Sequence, residues 1–293
     1  MELCITGPGG KFVSNTTQRL LDEGKREFKK VEYVPILEIQ LQVDSKKGLD
    51  AVYDKKSLGD YDYILPRIDS KRAEAGYHVF RVLDKMDVMK PYPADTILVA
   101  HNKFVTLEQM VKFGVPVPRT YLSSSREAAK KVLGKLKLPV IMKLLSGFGG
   151  EGVMFIESKE AAESTIDTMR SLNQHMLLEE FIPNPGEDVR GIVAGDEIIA
   201  SYKRIAAKGE QKANIHLGGS AKTFKLDDEM QEVVFKAAEA IKADICAIDM
   251  LIGKDGPLVI EANINPGLQG IEKTTGVNVA QKIIRYIKEE LKR

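Results

Sequence analysis

The 293-residue chain has no tryptophan, only two cysteines and almost no net charge. Its 43 basic and 42 acidic residues nearly cancel, which argues against a partner held by the whole surface, such as duplex nucleic acid or an anionic membrane. Cys4 and Cys246 stand far apart without the spacing of a metal site. We therefore expect a reducing compartment, no disulfide framework and two small buried side chains. This charge balance fits a small anionic ligand at least as well.

Long apolar runs are also absent. No segment approaches the roughly 18 apolar residues that a membrane-spanning helix needs, and the opening MELCITGPGG lacks the basic and apolar regions of a signal peptide. We find no internal repeat and no low-complexity tract. We therefore expect a soluble cytoplasmic protein with no membrane or nucleic-acid partner.

What is present divides the chain into three blocks, as its length leads us to expect. Residues 1–95 alternate between strand-like and helix-like segments and predict an open α/β sheet. Residues 96–182 predict an α+β domain, with a helix closed by glycine in NKFVTLEQMVKFG and an extended segment in VPVPRTYL. Residues 183–293 form the third block, which ends in the helix NVAQKIIRYIKEELKR.

The second block contains a glycine-rich loop in VIMKLLSGFGGEGVMF, residues 140–155. Neither this loop nor TGPGGKF near the N-terminus has the spacing of a P-loop or of a dinucleotide fingerprint. A flap between antiparallel strands would let main-chain N–H groups approach phosphate oxygens without interference from Cβ atoms. Lys143 on the incoming strand would add a point charge. An ordinary hairpin turn explains the same glycines, so the loop alone does not decide between the two.

The third block contains a hairpin in ICAIDMLIGKDGPLVIEANINPG. A turn of residues 254–256, with its glycine left-handed, predicts that Gly253 pairs with Pro257 and that Asp249 lies opposite Glu261. We choose this register over a two-residue turn because it gathers the apolar residues of both strands on one face. That predicted apolar face comprises Ile248, Met250, Ile252, Leu258, Ile260 and Ala262.

The other face of this hairpin collects Asp249, Glu261 and Asn263. Two carboxylates directly opposite on a sheet repel each other by roughly 0.2 to 1 kcal/mol, unless one takes a proton or a cation lies between them. Oxygen ligands of this kind suit magnesium, which also shares the phosphates of a substrate. An exposed acidic strand pair is the alternative interpretation.

Magnesium, a glycine flap and a strand lysine together imply a nucleoside triphosphate. Between flap and hairpin lies LLEEFIPNPGEDVRG, where main-chain groups of residues 180–182 are placed to hold an adenine. Asp188 or Glu187 would then bind the ribose hydroxyls. The same segment also fits a solvated linker between domains.

These motifs resemble the ATP-grasp ligases, and within them the RimK-like group, which joins amino acids such as glutamate through amide bonds. The resemblance runs over nearly the whole length. It implies an ATP-grasp fold of mixed α/β and α+β class, with an N-terminal open α/β (pre-ATP-grasp) domain and two α+β domains that sandwich ATP. The segments that carry it are ILPRID, HNKFVTLEQMVKFGVPVPRT, PVIMKLLSGFGGEGV, LLEEFIPNPGEDVRGIVAGDEIIASYKR, NIHLGGSA and IEANINPGLQGIEKTTGVN.

The resemblance also implies ATP and magnesium as cofactors, with manganese as an alternative metal. Arg204 and Lys143 are the implied catalytic residues, and the implied metal ligands are Asp249, Glu261 and Asn263. The implied ATP-binding residues are Lys103, Lys143, Gly149, Gly150, Glu180, Phe181, Ile182, Asp188, Lys212 and Asn214.

Three further residues, Arg67, Arg190 and Asn265, are candidates for binding the substrate. The two arginines would hold carboxylates through paired hydrogen bonds, although each also fits an ordinary ion pair. The chain departs from the family at Lys212-Ala213-Asn214, where such ligases often have Arg-Ser-Asn, and at Leu217, which replaces a basic residue. His216 is retained. The lost cations leave the acceptor substrate open.

The expected reaction is an ATP-dependent ligation of a carboxylate to an amine through an acyl phosphate, with glutamate as the amino acid. The acceptor is a carboxylate-bearing protein or a coenzyme such as a pterin or deazaflavin. A carrier protein of lysine biosynthesis, as used by LysX-like relatives, is an alternative. A kinase on the same fold and a nucleotide-binding module without turnover are rival functions. Related ligases are commonly dimers or tetramers, so the resemblance makes a homo-oligomer one of the possible states, and the sequence itself does not fix the oligomeric state.

Overall fold

The structure is a computed structural model. The part of the chain that it describes comprises residues 1–9, 13–86, 88–145, 152–184, 186–206 and 219–293.

The first block forms a parallel three-stranded sheet in the order β2-β1-β6, which confirms the predicted open α/β sheet. The helix α1 begins after Ser14, whose side chain accepts a hydrogen bond from the N–H of Thr17. A small antiparallel sheet, β3-β4-β5, is also present and was not predicted. The elements are β1 (Glu2–Gly7), α1 (Asn15–Glu27), β2 (Lys30–Pro35), β3 (Gln40–Asp44), β4 (Gly48–Tyr53), β5 (Lys56–Ser57), β6 (Tyr63–Pro66) and α2 (Ala73–Leu83).

The second block forms a four-stranded antiparallel sheet in the order β7-β10-β8-β9. The strands that flank the glycine loop, β8 and β9, pair antiparallel as predicted. Ser125 and Ser158 cap the two helices on this sheet, each accepting from an N–H in the first turn. The elements are α3 (Ala94–Ala100), α4 (Lys103–Lys112), β7 (Thr120–Ser123), α5 (Arg126–Leu133), β8 (Val140–Lys143), β9 (Val153–Ile156), α6 (Lys159–Ser171) and β10 (Met176–Glu180).

The third block forms a five-stranded antiparallel sheet in the order β13-β12-β11-β14-β15. The helix α7 packs against one face of this sheet, and α8 and α9 lie on the other side. The elements are β11 (Glu187–Ala194), β12 (Glu197–Ile205), β13 (Ser220–Thr223), α7 (Asp228–Ala240), β14 (Ile245–Gly253), β15 (Gly256–Asn263), α8 (Gln269–Thr275) and α9 (Val279–Glu290).

The turn of the β14–β15 hairpin is shorter than predicted. Gly253 pairs with Gly256 rather than with Pro257, so two residues form the loop instead of three. Gly256 has a φ of +118°, a conformation that side chains with a Cβ rarely adopt. The predicted positive φ at this glycine is therefore confirmed, and the predicted loop length is wrong.

A β-bulge restores the predicted pairing farther along the hairpin. Met250 pairs with Val259, but the next residue along β14, Asp249, pairs with Glu261. Ile260 is the extra residue, so the alternation of β15 changes phase at this point. The direct opposition of the two carboxylate residues is confirmed, although the predicted route to it was wrong.

The bulge also corrects the predicted apolar face. Val259 is fully buried beside Met250, whereas Leu258 and Ile260 are only partly buried and Ile252 is 37% exposed. The core-facing residue on this part of β15 is therefore Val259 rather than its two neighbours.

The central strand β14 is buried on both faces. Cys246, Ile248 and Met250 belong to one apolar cluster, and Ile245 and Ala247 belong to another. Both clusters also contain residues of the first block, so the first and third blocks share their cores. The part of the second block from residue 129 to residue 178 has a cluster of its own, whereas Ile97, Met110 and Val115 of the same block belong to the first of the shared clusters.

The structure agrees with the predicted sheets more clearly than with the predicted domain boundaries. The boundary at residue 95 falls inside α3, and α4 packs against β15 and α7 of the third block. The division at 95 and 182 therefore stays a prediction. Cys4 and Cys246 are both buried, which confirms the expectation for their side chains.

Within the ranges that the structure describes, no helix combines the length and the apolar character needed to cross a bilayer.

Candidate active site

One face of the five-stranded sheet carries a group of charged side chains. The register places Asp188 opposite Arg204, Arg190 opposite Asp249, and Asp249 opposite Glu261. Side chains alternate along a strand, so residues paired in this way point to the same side of the sheet. The sheet therefore brings together five charged residues that are far apart in sequence.

Asp249 is the centre of this group. Arg190 donates to both of its carboxylate oxygens, Nε to Oδ1 at 2.6 Å and Nη2 to Oδ2 at 2.6 Å. Arg204 donates Nη2 to Oδ2 of Asp249 at 3.0 Å and Nε to Oδ1 of Asp188 at 2.5 Å. Asp249 is only 2% exposed, so its charge depends on these two guanidinium groups rather than on water.

The two aspartates have different pKa values because their surroundings differ. Burial alone would raise the pKa of Asp249, but Arg190 and Arg204 outweigh it and bring that pKa down to about 2. Burial raises the pKa of Asp188 to about 6, with Arg204 acting in the opposite direction. Asp249 is therefore ionised throughout the neutral range, whereas Asp188 takes up a proton far more readily.

Glu261 and Asn263 lie at the edge of the group. Lys103, the first residue of α4, places Nζ 3.3 Å from Oε1 of Glu261. The Nδ2 atom of Asn263 is buried and finds no hydrogen-bond partner in the described part of the chain. Those parts also contain no cluster of three or more His, Cys, Asp or Glu side chains suited to a metal. The groups that could donate electron pairs to a metal ion here are two carboxylates and an amide.

These donors fit a magnesium ion that completes its coordination with water and phosphate. Asp249 and Glu261 offer oxygen atoms from opposed positions. The third oxygen would be Oδ1 of Asn263, because the buried Nδ2 of that amide is a hydrogen-bond donor and cannot bind a metal. Two protein carboxylates suffice when the remaining ligands come from the substrate.

Lys143 lies on the other sheet, next to Glu179. Its Nζ is 2.6 Å from Oε1 of Glu179, and the two side chains are only 12% and 3% exposed. Glu179 was not singled out from the sequence. Adjacent strand residues point to opposite faces, so only one of Glu179 and Glu180 can face Lys143. Which one does so depends on the pairing of β8 with β10, which the sequence does not show.

Residues 180–182 leave β10 and approach the β14–β15 turn. The Glu180 carboxylate accepts from the N–H of Arg119 at 2.8 Å, and the Phe181 ring meets Phe155 edge-on, with centroids 5.1 Å apart. Ile182 lies within van der Waals reach of the turn at Gly253. Among the described residues we find no main-chain partner for the N–H of Ile182.

A second group of polar atoms lies where the first block meets the end of the hairpin. Arg67 donates Nη2 to the carbonyl of Pro266 at 3.0 Å, and Asn265 donates Nδ2 to the carbonyl of Ile68 at 3.1 Å. His101, which the sequence analysis did not identify, is hydrogen-bonded to the main chain of Ile68. Burial lowers the pKa of His101.

Four of the predicted ATP-binding residues fall outside the described part of the chain: Gly149, Gly150, Lys212 and Asn214. The same is true of His216 and Leu217. The structure brings together Lys103, Asp249, Glu261 and the two arginines of the sheet. Arg190, a candidate for binding the substrate, forms an ion pair with Asp249.

The chain matches two family models that follow each other along the sequence. Residues 2–97 match the RimK PreATP-grasp domain, and residues 100–287 match the RimK-like ATP-grasp domain. The probable alpha-L-glutamate ligase of Trichodesmium erythraeum is 33% identical over 278 residues, which cover 94% of this chain and 93% of the relative. The ribosomal protein bS6–L-glutamate ligase of Escherichia fergusonii is 35% identical over 240 residues, which cover 80% of this chain and 79% of the relative.

The fold is similar to that of a solved RimK domain protein ATP-grasp from Sphaerobacter thermophilus. The two structures align with a TM-score of 0.71 over 98% of this chain and 99% of the other, at 19% identity. At this identity the likeness concerns the fold alone, and it confirms the ATP-grasp fold expected from the sequence.

Proposed function

The chain belongs to the RimK-like ATP-grasp family of ATP-dependent ligases, and from this premise we propose that it adds glutamate to a carboxylate-bearing acceptor through an amide bond. The glutamate is suggested by two relatives named as glutamate ligases. A protein acceptor is suggested by the relative named for ribosomal protein bS6. The intermediate is an acyl phosphate.

The observation that carries this proposal is the position of Lys103. Its Nζ is 3.3 Å from Glu261 on the acidic hairpin, and its N–H donates to the carbonyl of Leu145 at 3.3 Å. Leu145 follows the strand of Lys143 by two residues. Lys103 therefore joins the start of the glycine loop to the acidic hairpin, which is the arrangement that an ATP phosphate group between them requires.

In this proposal Asp249, Glu261 and Asn263 hold magnesium, which neutralises phosphate charge when it is bound. Lys103 and Lys143 bind phosphate oxygens as point charges. The adenine lies against residues 180–182, and Asp188 is near the ribose. The glycine loop, including Gly149 and Gly150, and the segment with Lys212 and Asn214 are assigned to ATP by family resemblance.

The chemistry consists of two displacements. A substrate carboxylate attacks the γ-phosphoryl group of ATP, which gives an acyl phosphate and releases ADP. An amine then attacks the acyl carbon, loses a proton and expels phosphate, which leaves the amide. In this proposal Arg204 lies next to the transferring group. Asp188 and Asp249 hold its guanidinium in place, so it needs no reorientation during the reaction.

The experiment measures phosphate and ADP formed from ATP and magnesium with glutamate, together with a panel of acceptors: peptides with free C-termini, folate and deazaflavin coenzymes, and an acidic carrier protein. Products are identified by mass. We expect phosphate release that needs both amine and acceptor, with a product heavier by one or more glutamyl groups. Glu261→Gln is expected to lower this rate by about 100-fold or more, whereas the exposed Glu160→Gln keeps it.

Other products would contradict the proposal in distinct ways. A phosphorylated product without free phosphate identifies a kinase. A product formed only on the carrier protein identifies the LysX-like alternative. ATP binding without turnover over the whole panel rejects the ligase reaction with these acceptors.

A further inference from the structure

Arg67 is a buried cation. Its side chain is 7% exposed, and within the described ranges it forms no ion pair with a carboxylate. Its one hydrogen bond there runs from Nη2 to the carbonyl of Pro266, and the buried Nε has no partner. Burial lowers its pKa to about 10, so it remains charged at neutral pH. Buried charges are normally paired.

The place of Arg67 in the fold is one where ligands bind. It directly follows β6, and its N–H donates to the carbonyl of Thr6 at the end of β1. The strands β1 and β6 are parallel, so both residues lie at the carboxyl edge of the sheet, which is the usual ligand edge of open α/β sheets. Over the described ranges, the buried hydroxyl of Thr6 also has no hydrogen-bond partner.

Asn265 supplies an acceptor next to this donor. Its Nδ2 donates to the carbonyl of Ile68, which fixes the orientation of the amide because a carbonyl can only accept. The other atom of the amide, Oδ1, is buried and finds no hydrogen-bond partner among the described residues. Two crossing hydrogen bonds, from Arg67 to Pro266 and from Asn265 to Ile68, hold these two dipeptide segments together.

An unpaired cationic donor beside an unpaired neutral acceptor matches one common ligand, the zwitterionic head of an α-amino acid. Its carboxylate pairs with a guanidinium, and its ammonium donates to an amide oxygen. We propose that Arg67 and Asn265 form the site that binds the α-carboxylate and the ammonium group of the incoming amino acid. This inference rests on the proposed ligase function.

The position along the chain also suits the reaction. Asn265 follows Asn263 by two residues and Glu261 by four, while the intervening Ala262 and Ile264 are buried in the core. Asn265 therefore follows the proposed metal ligands directly along the chain, and in this proposal the amine that it holds enters next to the carboxyl group that ATP activates.

The test compares ligands on the full chain loaded with magnesium and ADP, by ligand-observed NMR titration. The probes are L-glutamate, its α-amide, γ-aminobutyrate, which lacks the α-carboxylate, and L-glutamine. We expect the wild type to bind glutamate about 10- to 100-fold more tightly than the α-amide or γ-aminobutyrate. This comparison needs no variant, so it does not depend on how a variant folds.

Arg67→Met retains the apolar stem of the side chain and is expected to weaken glutamate binding to the level of the α-amide. Arg67→Lys should retain part of the affinity, because it retains the charge but not the guanidinium fork. Arg126→Met, on the distant ion pair of Arg126 with Asp167, is the matched control and should bind glutamate like the wild type. ADP affinity, measured by calorimetry, should be the same in all four proteins.

Several results would overturn this site. One is equal affinity of the wild type for glutamate and its α-amide. Another is a loss of ADP affinity in Arg67→Met that equals its loss of glutamate affinity, which would assign Arg67 to phosphate. If Arg67→Met removes the preference for glutamate over glutamine, Arg67 binds the γ-carboxylate of glutamate rather than its α-carboxylate. Wild type that binds ADP but no amino acid rejects this site, and wild type that does not bind ADP rejects the proposed function itself.

Discussion

Asp249 is the residue on which the charged face of the sheet depends. It is buried against Arg190 and Arg204, and its pKa is held at about 2. A carboxyl group with a pKa near 3.8 in the unfolded chain then stabilises the fold at neutral pH. That contribution is present above pH 3.8 and is lost as the pH falls through 2.

Asp249→Asn should therefore destabilise the protein strongly at pH 7, by roughly 3 to 5 kcal/mol, because it leaves buried arginine charge uncompensated. At pH 3 the difference in free energy of unfolding between the variant and the wild type should be about 1 kcal/mol smaller than at pH 7. Urea unfolding at both pH values measures this. Asp196→Asn, at an exposed position, serves as the control. A difference that stays constant or grows on acidification would contradict the assigned pKa.

The sequence predicted the residues of this face but not their partners. Asp249 and Glu261 were found because alternation and hairpin pairing are local properties of one segment. The contact between Arg190 and Asp249 joins residues 59 positions apart and depends on the strand order of the sheet, which no short pattern encodes. The pairing of Lys143 with Glu179 was missed for the same reason.

At the scale of elements, the hairpin shows why a correct pairing can follow from a wrong turn. The prediction placed the extra residue in the loop, whereas the structure places it at Ile260 in β15. Both arrangements put Asp249 opposite Glu261, because each inserts one extra residue between Gly253 and Glu261, either in the loop or at the bulge. They differ only in which residues between the turn and the bulge face the core, and there Val259 was missed.

The turn of this hairpin depends on Gly256. Its φ of +118° excludes most side chains, and a Cβ there would lie 2.6 Å from Oε1 of Glu229. Gly256→Ala should lower the free energy of unfolding by roughly 1 to 2 kcal/mol. Gly134→Ala is the matched control. Gly134 has a φ of −67°, and a Cβ there would lie 3.5 Å from its nearest contact, the carbonyl oxygen of Lys131. Equal denaturation midpoints for the two variants would argue against the strained turn.

At the scale of the whole molecule, the three blocks are not equally joined. Apolar clusters run from the parallel sheet of the first block into the five-stranded sheet of the third. The part of the second block between residues 129 and 178 has its own cluster, while Ile97, Met110 and Val115 belong to a shared one. The predicted division into three domains followed from composition and alternation, which report on elements. They carry no information on which elements share a core.

The shared and separate cores predict two unfolding transitions in calorimetry. Leu178→Ala removes a fully buried side chain from the cluster of the second block, and Leu83→Ala removes one from the cluster shared by the other two. Each should cost about 2 to 5 kcal/mol. We expect Leu178→Ala to lower only the smaller transition and Leu83→Ala only the larger one. ADP with magnesium should bring the two transitions closer, because the nucleotide site that we propose lies between the second and third blocks and its occupation would couple them. A single transition that both variants lower equally would show that the second block unfolds together with the rest of the molecule.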